Sequence, residues 1–267
     1  MLQLLNQRTL FIIMHIMILV FYPIRAEEVQ LTFENDYHYY PQWSPDGSEI
    51  CYHRSDAYGC NIYKLPSVGG TQVPLTSDYY AHYHPQWSHS GSEIVYMKLD
   101  TISFRIYKIS SNGGVEIPLT GYSFFQMNPQ WSPDDSYIVY TAVDTNSGYR
   151  QIYKVLSSSG SEIQLTSSQD EHEYPQWSPD GSEIVYDISG TSYFHQIYKV
   201  SSAGGAETQL TSDNYDHRFP EWSPDGSEIV YQKTDSTGYW QLYKIASDGG
   251  SEICLTDDHY NHNYPQW

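Results

Sequence analysis

Residues 174–186 read "YPQWSPDGSEIVY", and this phrase recurs along the chain. It is nearly complete around Trp43, Trp177 and Trp222, and altered around Trp87 ("WSHSG") and Trp131 ("WSPDD"). The letters "SPDG" are typical of a type I turn, with Ser first, Pro second and Gly accepting a positive φ at the end. The flanking residues are rich in Ile, Val, Tyr and Trp, which favour strands. The phrase therefore predicts two strands joined by a tight turn.

The phrase repeats with a period near 45 residues. Six tryptophans mark it at spacings of 44, 44, 46, 45 and 45 residues, and a Leu-Thr pair keeps step with them. The tryptophans are Trp43, Trp87, Trp131, Trp177, Trp222 and Trp267. A period of this length indicates a repeat architecture.

Each repeat contains four short apolar segments, which we name strands A to D. In one repeat they read "YPQWS" (174–178), "EIVYDI" (183–188), "HQIYKVS" (195–201) and "ETQLT" (207–211). The second and third alternate apolar and polar side chains, as strands do. Four antiparallel strands per repeat predict an all-β fold, a β-propeller with four-stranded blades.

The variation in length falls in one connection. The B–C connection varies between repeats, whereas the A–B, C–D and D–A connections keep constant lengths. Because strand direction alternates, the B–C and D–A loops emerge on the same face. Variable loops point to a binding face, so we expect a partner to bind there.

The two ends of the repeat region predict how the ring closes. A D-type strand, "VQLT" (29–32), precedes the first A strand, and a lone A strand, "YPQW" (264–267), follows five full sets. We expect a six-bladed propeller over residues 27–267, with both pieces in a sixth blade that lacks its B and C strands in this chain. A truncated sequence would explain the missing strands.

Charge and the N-terminal composition restrict location and partners. The chain has 13 Lys+Arg and 32 Asp+Glu, which gives a net charge of −19. This charge argues against nucleic acid and against anionic lipid as binding partners. Residues 1–26 read as a signal peptide, because Arg8 precedes a short apolar run that ends near Ala26. We expect export to the periplasm or the cell exterior, with no stable membrane span. The alternative is that residues 1–26 are not cleaved and act as an N-terminal membrane anchor.

The phrase "WSPDGSEIVY", followed by "QIYKV" and "QLT", resembles the repeat of TolB-type propellers. The resemblance covers residues 29–267 and implies a propeller that binds a protein or peptide in an exported compartment. Similar repeats occur in prolyl-oligopeptidase-like enzymes, but the Gly-x-Ser-x-Gly elbow of their hydrolase domain is missing from this sequence. Oligogalacturonide lyases, built on related propellers, use His and Gln to hold a metal ion.

Candidate site residues stand five positions before each tryptophan. They are His38, His82, Gln126, His172, His217 and His262. At the end of the D–A loop they could form a ring at the channel mouth, where histidine is a common metal ligand. His172, His217 and His262 are the weak metal candidates. The simpler interpretation is one ancestral histidine, copied with the repeat and bonded to backbone or to a neighbouring blade. No cofactor is predicted.

Acidic and aromatic residues accompany these positions. The partner-binding candidates in the D–A and B–C loops are Asp78, Asp213, Asp258, Tyr239 and Trp240. Such a surface suits basic peptides or sugars, although the carboxylates could instead cap turns. We expect a non-enzymatic scaffold that binds a protein or peptide. The alternatives are a metal-dependent polysaccharide lyase and a recently amplified repeat without a present function.

Overall fold

Each full repeat forms an antiparallel sheet of four strands. The computed structural model describes residues 29–56, 59–121, 125–190 and 194–267. Among these residues there are five sheets, numbered here as blades 1 to 5, and each pairs its strands in the order A-B-C-D. The all-β, four-stranded antiparallel prediction is confirmed. The count of six blades stays a prediction.

The strands are numbered in chain order. Blade 1 contains β1 (Tyr37–Trp43), β2 (Glu49–Asp56), β3 (Gly59–Pro66) and β4 (Val73–Pro74). Blade 2 contains β5 (Ala81–Trp87), β6 (Glu93–Leu99), β7 (Phe104–Ser110) and β8 (Ile117–Pro118). Blade 3 contains β9 (Met127–Trp131), β10 (Tyr137–Val143), β11 (Arg150–Leu156) and β12 (Glu162–Gln164). Blade 4 contains β13 (Glu171–Trp177), β14 (Glu183–Ser189), β15 (His195–Ser201) and β16 (Thr208–Gln209). Blade 5 contains β17 (His217–Trp222), β18 (Glu228–Thr234), β19 (Trp240–Ala246) and β20 (Ile253–Cys254).

The aspartate of "SPDG" organises the A–B turn. In blade 4, Ser178 Oγ donates to Asp180 Oδ1 at 2.6 Å, and the backbone N–H of Ser182 donates to the same oxygen at 2.9 Å. These bonds hold the pKa of Asp180 at about 2. Gly181 follows with a φ of 72°, which glycine adopts without strain. The tight turn predicted from "SPDG" is confirmed, and this aspartate stabilises it.

The hydrophobic core lies between adjacent blades. Trp131 of blade 3 packs with Val95 and Met97 of blade 2, and its indole N–H donates to the Gln86 carbonyl at 3.2 Å. The indoles of Trp87, Trp177 and Trp267 make the same bond to the preceding repeat. The tryptophans therefore pack between adjacent blades.

The strand-C lysines hold the blade together. Lys199 Nζ lies 3.0 Å from Glu183 Oε2 on the neighbouring strand B. Lys64, Lys108 and Lys244 make equivalent pairs. In blade 3 the glutamate is replaced by Tyr137, and the Lys154 ammonium lies 4.4 Å from the centre of that ring. These lysines therefore join strands B and C within a blade.

The chain divides into two units, Met1–Phe33 and Glu34–Trp267, and the strands above belong to the second. In the first, residues 29–33 contain no strand, so the predicted strand at 29–32 is wrong. In the second, residues 264–267 are also not a strand. A strand exists only when a neighbour completes its hydrogen bonds, and no strand among the described residues pairs with either stretch.

The predicted signal peptide at residues 1–26 lies outside the described residues and stays a prediction. In the part of the chain that the structure describes, no helix is long and apolar enough to cross a membrane.

Candidate partner-binding face

The B–C and D–A loops leave each sheet on one side, because neighbouring strands run antiparallel. We call this side the loop face. The described residues of its B–C loops are 100–103, 144–149, 190, 194 and 235–239. Those of its D–A loops are 75–80, 119–121, 125–126, 165–170, 210–216 and 255–263.

The Leu-Thr pair and a strand-C glutamine hold the D–A loops in place. In blade 4 the backbone N–H of Ile197 donates to Thr211 Oγ1 at 2.9 Å. Gln196 Nε2 donates to the carbonyls of Asp213 and Tyr215, both at 3.0 Å. Gln151 and Gln241 make the same two bonds in blades 3 and 5. The repeated residues therefore give the loop face a fixed backbone.

Four of the five predicted histidines lie at the beginning of strand A, whereas His262 lies in the D–A loop that follows blade 5. His82, His172 and His217 belong to β5, β13 and β17, and these three side chains and that of Gln126 have no exposed surface. His38 is half-buried, with its ring 5.3 Å from that of Tyr52. The role of these residues as partner contacts stays a prediction.

His172 shows how the buried histidines are bonded. Its Nδ1 lies 3.0 Å from the Asp170 carbonyl and 3.2 Å from the Arg150 carbonyl of blade 3. Its Nε2 lies 3.0 Å from Glu207 Oε2, beside the outer strand of blade 4. Because both ring nitrogens have partners, the histidine ties its own blade together and fastens it to the preceding one.

In blade 2 the equivalent histidine–glutamate pair is joined by a lysine and an aspartate. Lys98 Nζ lies 2.5 Å from Asp78 Oδ2 and 2.8 Å from Glu116 Oε2, and His82 Nε2 lies 3.2 Å from the same Glu116 oxygen. Burial raises the pKa of Glu116, but hydrogen bonds from His82, Lys98 and Tyr96 outweigh it and hold the pKa at about 2. An ammonium therefore already balances these carboxylates.

Blade 5 repeats this arrangement. Lys233 Nζ lies 2.5 Å from Asp213 Oδ2 and also contacts Glu252, and His217 Nε2 lies 3.3 Å from Glu252 Oε1. Burial raises the pKa of Glu252, and bonds from His217 and Lys233 bring it to about 2. The Asp213 carboxylate also accepts the Tyr215 N–H at 3.0 Å, a turn cap. The predicted residues Asp78 and Asp213 thus have both a capping and an ion-pairing role.

A cleft of about 800 Å³ opens on the loop face of blade 5. We call it the blade-5 cleft. Its aromatic side chains are Tyr215, Tyr243 and Tyr260, and its carboxylates are Asp235, Asp257 and Asp258. Hydrogen bonds from Thr237 lower the pKa of Asp235, and a bond from His262 lowers the pKa of Asp258, so both are ionised at neutral pH. Lys233 also lines the cleft, but its charge is balanced by Asp213 and Glu252.

Several predicted residues surround this cleft. The Tyr239 ring lies 5.9 Å from the His259 ring at its edge. The Trp240 N–H donates to Asn261 Oδ1 at 3.0 Å, and the His262 N–H donates to the Trp240 carbonyl at 2.8 Å. These bonds join the B–C and D–A loops. The structure therefore brings Tyr239, Trp240, Asp258 and His262 to one place.

Sequence reasoning missed a set of residues that bring the A strands of neighbouring blades together; we call them the channel residues, after the central channel expected of a propeller. Three positions before each tryptophan, strand A has a φ of 51–55° and a register shift typical of a β-bulge. These residues are Tyr40, His84, Asn128, Tyr174, Phe219 and Tyr264. Their rings meet: Tyr40 and His84 lie 3.8 Å apart, Tyr174 and Phe219 4.2 Å, and Phe219 and Tyr264 4.7 Å. The sequence did contain an indication of this role, because an aromatic residue directly precedes Pro-Gln-Trp or Pro-Glu-Trp in most repeats.

Three groups among the described residues could hold a metal ion. They are Asp78–His82–Glu116, Glu173–Asp187–His195 and Asp213–His217–Glu252. Each group lies within one blade, and none contains two of the predicted histidines. The structure therefore does not bring His172, His217 and His262 to a common ion.

Comparison with known proteins identifies relatives. The family model described as "TolB beta propeller domain" matches residues 22–147 and 105–267. A putative TolB from Agrobacterium tumefaciens has a TM-score of 0.70 at 22% identity, over 85% of this chain and 83% of that one. TolB from Acinetobacter baumannii has a TM-score of 0.71 at 20% identity, over 90% of this chain and 59% of that one. This chain therefore spans less than two thirds of the Acinetobacter protein.

An oligogalacturonate lyase from Vibrio parahaemolyticus has a TM-score of 0.68 at 15% identity, over 88% of this chain and 71% of that one. At these identities each likeness shows the fold alone. No curated protein sequence matches the chain.

Proposed function

Because this chain belongs to the TolB β-propeller domain family, we propose that it is a non-enzymatic scaffold that binds a protein or peptide partner. The partner binds on the loop face, at the blade-5 cleft, through a segment that carries Lys or Arg side chains. The signal-peptide composition of residues 1–26 supports export, so the partner is periplasmic or extracellular.

The observation that carries the proposal is the composition of the cleft. Asp235, Asp257 and Asp258 face a cavity that also holds three tyrosine rings. A cationic side chain gains from both, since carboxylates attract it and an aromatic face accepts it by a cation–π contact. The net charge of −19 adds long-range attraction for a basic partner.

The rigidity of the loops supports the same conclusion. Gln241 Nε2 donates to the Asp258 and Tyr260 carbonyls at 2.8 and 3.1 Å, and the Tyr260 N–H donates to Asp258 Oδ1 at 3.0 Å. A backbone that is ordered before binding loses less conformational entropy when the partner arrives. Tyr260 is 74% exposed and available as an anchor.

The lyase alternative has less support. It requires several histidines at one ion, whereas His172 and His217 are buried in separate blades with carboxylate partners of their own. Neutral sugars could stack on tyrosine rings, but three aspartates give no advantage with an uncharged ligand.

Selection from a random peptide library tests the proposal. The full chain should enrich Lys- and Arg-rich peptides, and an Asp257→Asn/Asp258→Asn variant should lose that enrichment. Asp248→Asn is the matched control, since its carboxylate is 99% exposed in a C–D turn on the opposite face. No enrichment by the wild type, equal enrichment by the double variant, or tighter binding of neutral oligosaccharides would contradict it.

A further inference from the structure

Three positions on one face of each blade form a local cluster. They are the fourth residue before the tryptophan in strand A, the residue after the buried strand-B tyrosine, and the first residue of strand C. In blade 2 they are Tyr83, Met97 and Phe104, which pack together with the Tyr83 and Phe104 rings 5.8 Å apart. This is an apolar contact between strands.

Blade 4 replaces all three residues. The same positions are Glu173, Asp187 and His195, with the first two paired directly across β13 and β14. In blade 3 these positions hold Met127, Thr141 and Arg150, and in blade 5 they hold Arg218, Gln232 and Trp240, so two carboxylates and an imidazole occur together only in blade 4 among these three blades. Buried carboxylates are costly unless a cation or hydrogen bonds compensate, so this blade has a reason other than packing to keep them.

The geometry fits a single ion. Asp187 Oδ1 and His195 Nδ1 lie 2.9 Å apart, and one ligand atom from each of the three residues lies within 4.8 Å of the others. Two ligands about 2.1 Å from one metal ion are roughly 3.0 Å apart in octahedral and about 3.4 Å apart in tetrahedral geometry, so these side chains need only a small shift to admit an ion. Asp187 is fully buried, while the side chains of Glu173 and His195 are 15% and 10% exposed, so an ion can enter from the loop face.

The other two candidate groups differ in one respect. Lys98 and Lys233 place an ammonium among the carboxylates of the groups in blades 2 and 5. In blade 4, Arg150 from blade 3 contacts Glu173 through Oε1, and its side chain is 38% exposed. Asp187 Oδ2 accepts a bond from the Phe219 N–H at 3.3 Å, and the Arg218 guanidinium adds a favourable charge at Asp187. Among the described residues, this group is therefore balanced by arginines from the neighbouring blades instead of by a lysine of its own blade.

We propose that Glu173, Asp187 and His195 bind one divalent transition-metal ion, such as Zn²⁺ or Mn²⁺, beside the channel between blades 4 and 5. One imidazole and two carboxylates suit these ions better than Ca²⁺ or Mg²⁺, which prefer oxygen ligands alone. The ion joins strands A, B and C of blade 4 next to the channel residues Tyr174 and Phe219. The site is independent of the blade-5 cleft.

Calorimetric titration of tag-free, chelator-treated full-length protein with ZnCl₂ and MnCl₂ tests the site. We expect one ion per chain and a melting temperature that rises with ion concentration. His195→Gln and Glu173→Gln should weaken binding at least tenfold. His82→Gln is the matched control. Gln126 occupies the same position in blade 3, and in the Asp78–His82–Glu116 group the Lys98 ammonium already pairs with the carboxylates.

Two results would overturn the proposal: no stoichiometric binding by the wild type, or equal binding by wild type and His195→Gln. Equal loss in His82→Gln would also overturn it, since the ion would then lie elsewhere. Glu173→Gln changes a partly exposed side chain, so it tests the site even if a change at His195 impairs folding, which circular dichroism would report.

Discussion

Nε2 of His172 lies 3.0 Å from Oε2 of Glu207, so a strand-A histidine reaches a residue beside the outer strand of the same blade. The Tyr186 hydroxyl lies between them on strand B and donates to the same oxygen at 3.2 Å. Three residues, each repeated in blades 2 and 5, thereby join inner and outer strands across one face of the sheet. The repeated histidine has a structural reason to be kept.

Replacing His172 should reveal this role as a loss of stability. His172→Ala leaves the half-buried Glu207 without one donor and should lower the free energy of unfolding by about 1–3 kcal/mol. His172→Gln should cost less, because Gln126 occupies this position in blade 3, where it accepts the Ile106 N–H of blade 2 and donates to the Gly121 carbonyl. Urea denaturation measures both. Wild-type stability in His172→Ala, or a larger loss in His172→Gln, would refute the role.

Acid should destabilise the protein partly through Glu116. Its pKa is about 2 in the fold against 4.5 ordinarily, despite burial, because of bonds from His82, Lys98 and Tyr96. A lowered pKa contributes stability that is present above pH 4.5 and lost as the pH falls towards 2. Glu116→Gln should therefore give a shallower dependence of melting temperature on pH between 4.5 and 2. An unchanged slope would contradict this assignment.

Glu221 should have the opposite effect. It stands where the other repeats have glutamine (Gln42, Gln86, Gln130, Gln176 and Gln266), and burial raises its pKa from 4.5 to about 7. A raised carboxyl pKa contributes stability that is present below pH 4.5 and lost as the pH rises through 7. The full shift corresponds to about 3 kcal/mol at most.

Glu221→Gln should remove this loss. The variant should be more stable than wild type at pH 8, and equal or nearly equal to it at pH 4. Thermal melting at both values is the measurement. A variant that is less stable at pH 8 would show that the carboxylate has an attractive partner in the fold.

The repeat phrase predicts the scaffold well because its physics is local. The "SPDG" turn needs only contacts within five residues, as from Ser178 to Ser182, and the Lys199–Glu183 pair follows from neighbouring strands. The tryptophan contacts recur with the same period, because each indole bonds to the repeat before it. The turn and the four-stranded sheets that the phrase predicts are confirmed.

The site was harder to predict because strand A does not alternate regularly. The bulge before its proline changes which side chains lie on each face of the sheet, so the Tyr174 ring contacts Phe219 of the next blade, whereas His172 is buried and bonds to Glu207. A one-residue insertion of this kind leaves no mark in the spacing of the tryptophans. The sequence also did not reveal the group in blade 4. Glu173, Asp187 and His195 lie on three different strands and come together only when those strands pair in the sheet.

The central claim is that the blade-5 cleft binds a basic segment. Calorimetry with the Lys- and Arg-rich peptide selected by the wild type, at low and at physiological salt, tests it most directly. We expect Asp257→Asn/Asp258→Asn to weaken binding about tenfold or more at low salt, and Asp248→Asn to change it less than about twofold. Equal affinity in the double variant, or equal weakening in Asp248→Asn, would contradict the claim.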